Sequence, residues 1–325
     1  MTGTESTSLV CGLDLGGTKL LGVIVAPAGT EPLASAKVAT PRGAEGVMTA
    51  MVDLASTLAD QVQAAGHGQV RALGVGAPGL VDRSGTFRYG PNLPDVVDVP
   101  LADVLSARLG VPVVVDNDAT CAGWAEHERG ASRGANHSLL FTLGTGIGGG
   151  MTVKGEVLRG AHGFAGEPGH MVVDPSGPPC PCGRRGCWER YASGTGLGRL
   201  GREAAAAGRL TAVLAKVGGD AVLIDGLVVT QAALAGDPEA LAGMHTFADW
   251  LAFGIANILN VVDSEIVVLG GGLVAAGHLF LDPVRAGVRD LVMGSAHRPE
   301  VPIVAAELGE RAGAWGAALL AATRT

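Results

Sequence analysis

Residues 13–19 read LDLGGTK, with two adjacent glycines and a lysine between apolar runs. This stretch joins two predicted β segments, because the apolar run Leu9–Leu15 leads into Gly16 and Gly17 and a second apolar run begins at Lys19. Paired glycines let the backbone reach unusual dihedrals and bring bare N–H groups close to an anion. The stretch therefore predicts a phosphate-binding turn between two strands, with an ordinary β-hairpin turn as the alternative.

The side chains around these glycines suit a polyphosphate. Thr18 adds a hydroxyl, Lys19 adds a positive charge, and the Asp14 carboxylate is of the type that holds Mg²⁺, directly or through water. The spacing is not that of the P-loop, GxxxxGK[ST], and a strand rather than a helix follows. The predicted nucleotide ligands in this loop are Asp14, Gly16, Gly17, Thr18 and Lys19.

A similar arrangement recurs in the second half of the chain. Residues 141–150 read FTLGTGIGGG, again between the first two strands of a predicted meander, with Thr145 in the place of Thr18. A third glycine cluster, 270–272, ends a later strand, where α/β sheets usually bind ligands; a helix-packing turn is the alternative there. The repeat implies two similar lobes facing each other across a cleft. The predicted nucleotide ligands in these two glycine loops are Gly144, Thr145, Gly146, Gly270, Gly271 and Gly272.

The hydrophobic periodicity predicts an α/β protein with a β meander in each half. In the first half the predicted order is β-β-β-α-β-α-β, ending in a strand at 111–115, and the second half closes with a helix near 313–322. We expect a small domain formed by residues 1–117 plus 307–325, and a large domain formed by residues 118–306.

Composition narrows the functional classes. The 325 residues are 47% hydrophobic and 17% charged, which is enough apolar material for a sizeable core. The net charge is −8 without a dense Lys/Arg run, which argues against a nucleic-acid partner. The sequence shows neither a signal-peptide pattern nor an uncharged apolar stretch of the roughly 18 residues that a membrane span needs. We expect a cytoplasmic protein without a membrane partner.

Polar residues that suit a sugar hydroxyl follow the strand predicted at 111–115. Asp116, Asn117 and Asp118 come at the carboxyl end of that strand, and Asp118 is a candidate general base for a substrate hydroxyl. Helix N-capping is the alternative role for Asp118. Asn117 both donates and accepts hydrogen bonds, as a sugar diol requires. The further candidate sugar ligands are Asn92 in GPNLP (90–94), Glu167 and His170 in GEPGH (166–170), and Glu189.

Three of the five cysteines lie close together in CPCGRRGCWE, residues 180–189. In a reducing compartment, clustered cysteines more often bind metal than pair as disulfides. Structural zinc usually takes four ligands, and the best candidate for the fourth is His170, upstream of Cys180, Cys182 and Cys187. Fortuitous reduced thiols are the alternative. A zinc ion here would hold in place a loop that carries three of the candidate sugar ligands.

Together these motifs resemble the ROK family (repressors, open reading frames, kinases), and within it the branch of bacterial ATP-dependent glucokinases. DLGGTK, GVGAPG, DND, LGTGIGGG, GEPGH and CPCGRRGCWERYASG occur in the family's order and span nearly the whole chain. The resemblance implies an actin-like (ribonuclease H-like) two-lobed α/β sugar kinase fold with a structural zinc loop, and with sugar and ATP in the cleft.

The resemblance also implies an activity and its residues. The γ-phosphoryl group of ATP would pass to the 6-hydroxyl of glucose, with Mg²⁺ on the nucleotide. The implied catalytic base is Asp118. The implied sugar ligands are Asn92, Asn117, Asp118, Glu167, His170 and Glu189. The implied zinc ligands are His170, Cys180, Cys182 and Cys187.

Related functions share these motifs. A kinase for fructose, mannose or N-acetylmannosamine would use the same contacts to shared hydroxyls, and loops of this type cradle inorganic polyphosphate as well as ATP. A non-catalytic sugar-sensing regulator is the third hypothesis. Family repressors carry a helix-turn-helix ahead of the kinase-like part, whereas here eight residues precede the first predicted strand and no basic helix is evident. We expect an enzyme that assembles as a homo-oligomer, a dimer or a tetramer.

Overall fold

The computed structural model describes residues 8–323, and they form two compact units. The first unit contains residues 8–134, 150–166 and 307–323, and the second contains residues 135–149 and 167–306. Among the described residues, none of the helices combines the length and the apolar content that crossing a lipid bilayer requires.

The predicted strands and helices are present, and the structure adds two short strands at 80–89 and four helices between residues 189 and 234. The strands are β1 (Leu9–Leu15), β2 (Lys19–Val25), β3 (Ala34–Ala39), β4 (Val70–Ala77), β5 (Leu80–Val81), β6 (Phe87–Tyr89), β7 (Val113–Asn117), β8 (Ser138–Leu143), β9 (Ile147–Val153), β10 (Glu156–Val157), β11 (Ile266–Gly270) and β12 (Ile303–Ala305). The helices are α1 (Ala44–Ala64), α2 (Leu101–Leu109), α3 (Asp118–Arg129), α4 (Glu189–Ala192), α5 (Gly194–Ala206), α6 (Thr211–Lys216), α7 (Gly226–Leu234), α8 (Pro238–Val262), α9 (Leu281–Leu291) and α10 (Ala312–Ala322).

The sheet of the first unit has the strand order β3-β2-β1-β4-β7. β1 is antiparallel to β2, whereas β1, β4 and β7 are parallel to one another. Parallel strands end at the same edge of a sheet. Asp14 near the end of β1 and Asn117 at the end of β7 therefore lie at one edge, where ligands usually bind in α/β sheets.

Helices cover both faces of this sheet. Leu13 on β1 is buried in a core that includes Met51 and Leu58 on α1. The opposite face carries Gly12 on β1 and Gly74 on β4, where a β-carbon would collide with backbone carbonyls of α10. Glycine is required on that face because α10 packs directly against the strand backbone.

Residues 118–134 and 150–166 pack with the first unit, although the predicted boundary places them in the large domain. Residues 118–134 belong to the first unit because α3 packs closely on α10. The packing is so close that a β-carbon at Gly316 would overlap the carbonyl oxygen of Cys121. The predicted domain division at residues 117 and 307 stays a prediction.

The second sheet has the strand order β10-β9-β8-β11-β12, and β9 continues along the chain from the second unit into the first. In the second unit β11 is parallel to both β8 and β12. The long helix α8 begins at Pro238, because the Asp237 carboxylate caps it by accepting hydrogen bonds from the N–H groups of Glu239 and Ala240.

The predicted strands of the first unit are confirmed, and the bounds of one of them, β7, are shifted by two residues. The strand expected at 111–115 forms at Val113–Asn117. Pro112 explains the later start, because proline has no N–H group to donate to a sheet. The shift matters for function, since it makes Asn117 a strand residue and Asp118 the first residue of a helix.

Candidate active site

Asp118 is the first residue of α3, directly after β7. The alternative role of Asp118, helix N-capping, is wrong, because α3 already begins at Asp118 and its cap is Asn117. The Asn117 side-chain oxygen accepts a hydrogen bond from the Thr120 N–H at 2.9 Å. Asp118 Oδ1 instead accepts from the Ala119 N–H at 2.8 Å. The position of Asp118 is therefore set by the first turn of a helix.

Two further hydrogen bonds hold Asn117 at the end of β7. Its amide nitrogen donates to the Gly79 carbonyl at 3.2 Å, and its backbone N–H donates to Asp116 Oδ1 at 2.9 Å. The residue is buried. These contacts give the side chain a single orientation beside Asp118.

Two carboxylates at this edge of the sheet have raised pKa values. Burial raises the pKa of Asp118 to about 6. Burial, and then the negative charge of Asp118, raise the pKa of Asp14 to about 7, against the lowering effect of Lys19. Gly313 in α10 leaves room for Asp14, because a β-carbon there would lie 2.8 Å from Asp14 Cγ. A carboxylate with a pKa near neutrality is suited to take a proton.

The first glycine loop contacts the loop that carries Asn92. A β-carbon at Gly17 would lie 2.9 Å from the carbonyl oxygen of Asn92. Gly16 is fixed by its own N–H, which donates to the Lys19 carbonyl at 2.8 Å. The Lys19 ammonium is exposed and lies 3.4 Å from Glu310 Oε2, so in this structure its charge is directed at a carboxylate.

The second unit contains a cavity of about 430 Å³ that is lined by two of the predicted glycine loops. Gly144, Thr145 and Gly272 are among its lining residues. Gly271, beside them, has a φ of 86°, and a β-carbon there would lie 2.5 Å from the Leu143 carbonyl. The structure thus brings the loops 144–146 and 270–272 together.

Further walls of this cavity were missed by the sequence analysis. They come from α5, from α7 and from the residue that caps α7, and they comprise Gly194, Thr195, Gly198, Arg202, Asp225, Gly226, Leu227 and Thr230. Thr195 Oγ1 donates to the Thr145 carbonyl at 2.8 Å, and the Gly194 N–H donates to the Gly144 carbonyl at 2.8 Å. The stretch SGTGLG at 193–198 was the available signal, since it is rich in glycine at a helix start.

The four predicted metal ligands lie together in the second unit. The ligand atoms of His170, Cys180, Cys182 and Cys187 are all within 4.8 Å of one another. Cys182 Sγ lies 3.6 Å from Cys187 Sγ, and Cys180 Sγ lies 3.8 Å from His170 Nδ1. Three sulfurs and one imidazole nitrogen at these separations match the donor set of a tetrahedral structural zinc site.

Local contacts explain why the cysteine loop folds this way. Gly183 and Gly186 have φ values of 88° and 66°, which favour glycine, and they form the tight turns between the cysteines. The indole N–H of Trp188 donates to the Trp250 carbonyl on α8 at 2.7 Å. The loop is thereby anchored to a long helix as well as to its own turns.

Three candidate sugar ligands border the cysteine cluster. Glu189 Oε1 lies 3.1 Å from Cys180 Sγ and 3.7 Å from His170 Nδ1. Glu167 Oε2 lies 3.9 Å from His170 Nε2, on the other ring nitrogen. His170 therefore faces the cysteines with one nitrogen and the Glu167 carboxylate with the other, and its predicted double role towards a metal and a sugar stays a prediction.

Known glucokinases are similar to this chain in fold and in sequence. The crystal structure of a ROK family glucokinase from Streptomyces griseus with glucose and AMPPNP superposes with a TM-score of 0.85, at 38% identity, covering 97% of this chain and 100% of that one. The glucokinase of Streptomyces coelicolor is 38% identical over 318 residues, 96% of this chain and 97% of that protein. The glucokinase of Thermotoga maritima is 40% identical over 247 residues, 76% of this chain and 77% of that protein.

The ROK family pattern matches residues 10–324, nearly the whole length of the sequence. The predicted α/β sugar kinase fold is thereby confirmed. Motifs, fold and sequence similarity agree: the chain belongs to the ROK family.

Proposed function

We propose that this chain is a glucokinase, which transfers the γ-phosphoryl group of ATP to the 6-hydroxyl of D-glucose. The observation that carries the proposal is Asp118, a carboxylate at the carboxyl end of β7 whose burial raises its pKa to about 6. General base catalysis is most effective when the pKa of the base lies near the working pH. Similarity to glucokinases over nearly the whole chain supports glucose as the acceptor.

Polar side chains hold the sugar by hydrogen bonds to its hydroxyl groups. Asn117 supports this role because contacts with Gly79 and Thr120 fix its amide beside the base. Glu167, His170 and Glu189 support it because they cluster around one imidazole. The proposed sugar ligands are Asn92, Asn117, Asp118, Glu167, His170 and Glu189.

Asp118 acts as the base for phosphoryl transfer. It accepts the proton of the 6-hydroxyl while the hydroxyl oxygen bonds to the γ-phosphorus. The bond from that phosphorus to the bridging β-phosphate oxygen breaks, so that ADP leaves with the electron pair. The proton resides on Asp118 at the end of the step.

ATP occupies the 430 Å³ cavity of the second unit, with its phosphates extending to the glycine loops. The N–H groups of such loops and the start of the 13-residue helix α5 favour negative charge. The proposed nucleotide ligands there are Gly144, Thr145, Gly146, Gly270, Gly271 and Gly272. Those proposed in the first unit are Gly16, Gly17, Thr18 and Lys19.

Asp14 is the residue that would hold Mg²⁺. The donor fits, because carboxylate oxygens are preferred magnesium ligands and a nearby cation would favour ionisation of a carboxyl whose pKa is raised to about 7. When bound with the nucleotide, the ion neutralises charge on the phosphate oxygens.

His170, Cys180, Cys182 and Cys187 would hold Zn²⁺ in a structural role. The close approach of the four ligand atoms supports this assignment. A shell of three sulfurs and one nitrogen is complete, so it has no open position for a substrate. Its contribution is to fix the loop that carries Glu189.

The enzyme is expected to work as a homo-oligomer, a dimer or a tetramer, in the cytoplasm where ATP is available. Val261 and Met293 in the second unit support association, because 84% and 81% of their surfaces are exposed and the Met293 N–H donates to the side chain of Asn260, the neighbour of Val261. Exposed apolar side chains grouped on one surface often mark an interface. Analytical ultracentrifugation tests this, and a monomer at micromolar concentration would contradict it.

A coupled assay with a panel of hexoses tests the proposed function. Glucose with ATP is expected to give the highest kcat/KM, ahead of fructose, mannose and N-acetylmannosamine, and ahead of glucose with inorganic polyphosphate. 6-Deoxyglucose is expected to compete with glucose without being phosphorylated. A higher kcat/KM for another sugar, or a phosphorylated 6-deoxyglucose identified by NMR, would overturn the assignment.

Gly146 and Gly144 provide a matched pair of substitutions in one loop. A β-carbon at Gly146 would collide with Glu189 Oε2, whereas a β-carbon at Gly144 has no atom within 4 Å. Gly146→Ala is therefore expected to displace the Glu189 carboxylate and raise KM for glucose about 10-fold or more, the effect of losing a charged hydrogen bond. Gly144→Ala should leave KM for glucose unchanged. Equal effects of both variants on KM for glucose would refute the contact.

The pH dependence of catalysis follows from the raised pKa of Asp118. kcat/KM for glucose is expected to fall as the pH drops through about 6, because the base becomes protonated. The stability of the fold changes in the opposite direction and decreases as the pH rises. A carboxyl whose folded pKa is raised stabilises the fold most below its unfolded pKa, near 3.8, and this is lost as the pH rises through about 6 for Asp118. Rates and thermal unfolding from pH 4.5 to 8.5 would separate the two effects.

A further inference from the structure

Asp116 is a buried carboxylate on β7 that the proposed mechanism does not use. Its relative exposure is 6%, and it lies two residues before the proposed base. Its Oδ1 accepts a hydrogen bond from the Asn117 N–H at 2.9 Å. The Asp116 carboxylate therefore helps to hold the backbone that carries the side chains of Asn117 and Asp118.

The second oxygen of Asp116 is bound by an arginine. Arg159 Nε donates to Asp116 Oδ2 at 2.6 Å, and the two side chains are 26% and 8% exposed. A buried charge is costly unless it is paired and hydrogen-bonded. Arg159 supplies both, with a planar group whose donors match a carboxylate.

Arg83 offers a comparison inside the same unit. Arg83 and Arg159 line one cavity of about 110 Å³, next to Asp116. Arg83 donates to the Gly160 carbonyl, in the segment that carries Arg159. Both arginines therefore hold this segment in place, but the hydrogen bond to Asp116 comes from Arg159.

We propose that Arg159 is a positioning residue for phosphoryl transfer, which holds the Asp116 carboxylate so that Asn117 and Asp118 keep their orientation. Without Arg159, the Asp116 carboxylate is left buried without its counter-charge, and it is expected to turn towards water. Turning releases the Asn117 N–H and loosens the start of α3. The inference rests on the proposed function, because it assigns Asp118 as the base.

Arg159→Met tests the role while keeping most of the side-chain volume. Its kcat is expected to fall about 10- to 100-fold, since a displacement of about 1 Å at a reacting group has effects of this size. KM for ATP should not change, because neither Arg159 nor Asp116 lines the proposed nucleotide cavity or belongs to the proposed nucleotide loop at 16–19. Circular dichroism and metal content should match the wild type, and rates are normalised to folded protein.

Two further variants separate positioning from general destabilisation. Arg159→Met combined with Asp116→Asn removes the unpaired charge but keeps an oxygen for the Asn117 N–H, so kcat should recover to within about threefold of the wild type, as for a pair acting as one unit. Arg83→Met loosens the same segment without touching Asp116, so kcat should stay at the wild-type value.

The outcomes discriminate clearly. Equal losses in Arg83→Met and Arg159→Met, a wild-type kcat in Arg159→Met, or a double variant as slow as the single one would each overturn the positioning role. Activity retained in Asp118→Asn would instead overturn the proposed base, whatever the Arg159 variants do.

Discussion

Asp118→Asn is expected to lower kcat by about 10²–10⁴-fold, the usual effect of losing a general base. The amide cannot accept the proton of the 6-hydroxyl, while its oxygen can still accept the hydrogen bond that Asp118 Oδ1 takes from the Ala119 N–H. The start of α3 should therefore remain folded. Steady-state kinetics give kcat, and calorimetric titration gives glucose affinity, which should survive at a reduced value.

Asp103→Asn is the matched control for this change. Asp103 is an exposed acidic residue in the first turn of α2, so the same chemical substitution there leaves the proposed site intact. Its kcat should equal that of the wild type. If Asp118→Asn keeps kcat within about threefold of the wild type, a different group takes the proton.

Cys182→Ser is expected to lose the zinc ion and, with it, both thermal stability and glucose binding. Binding of structural zinc contributes about 10–16 kcal/mol to folding in small zinc domains, so its loss should loosen the whole cysteine loop. Glu189 would lose its fixed place beside Cys180 and His170, where its oxygen now lies 3.1 Å from the sulfur and 3.7 Å from the imidazole.

Binding of a nonhydrolysable ATP analogue should persist in Cys182→Ser, because the cavity of about 430 Å³ is lined by residues outside the cysteine loop. Mass spectrometry gives the metal content, and calorimetry gives the two affinities. Cys11→Ala is the control, since Cys11 is a buried cysteine of β1 in the first unit. It should keep the full metal content. A folded, metal-free Cys182→Ser protein with full glucose affinity would refute the structural role of zinc.

The glycine loops and the cysteine loop were predictable from sequence for a local reason. Gly183 and Gly186 adopt positive φ values, and Gly271 approaches the Leu143 carbonyl too closely for a β-carbon. Such requirements exclude other residue types at these positions. The glycines in the sequence therefore indicate the turns before the fold is known. The close approach of His170 to the cysteines was predictable because few other donors were available nearby in the chain.

The walls of the proposed nucleotide cavity were harder to predict. Arg202 lies on α5 and Asp225 caps α7, in a stretch rich in glycine and alanine where hydrophobic periodicity is weak. Their place beside Thr145 depends on how α5 and α7 pack in the second unit. The N-cap was misplaced by one residue for a related reason, because the end of β7 depends on its pairing with β4.

The sequence by itself was enough to identify the family and to predict the glycine turns, the grouping of His170 with the three cysteines, and the candidate base Asp118. Each of these depends on what a residue can do locally: a backbone angle, a ligand atom or an ionisable group. The tertiary structure alone decided the pairing of Asp116 with Arg159, 43 residues apart, and the raised pKa of Asp118, about 6. Charge pairing and burial depend on neighbours that are distant in the chain. A local sequence pattern therefore cannot predict them.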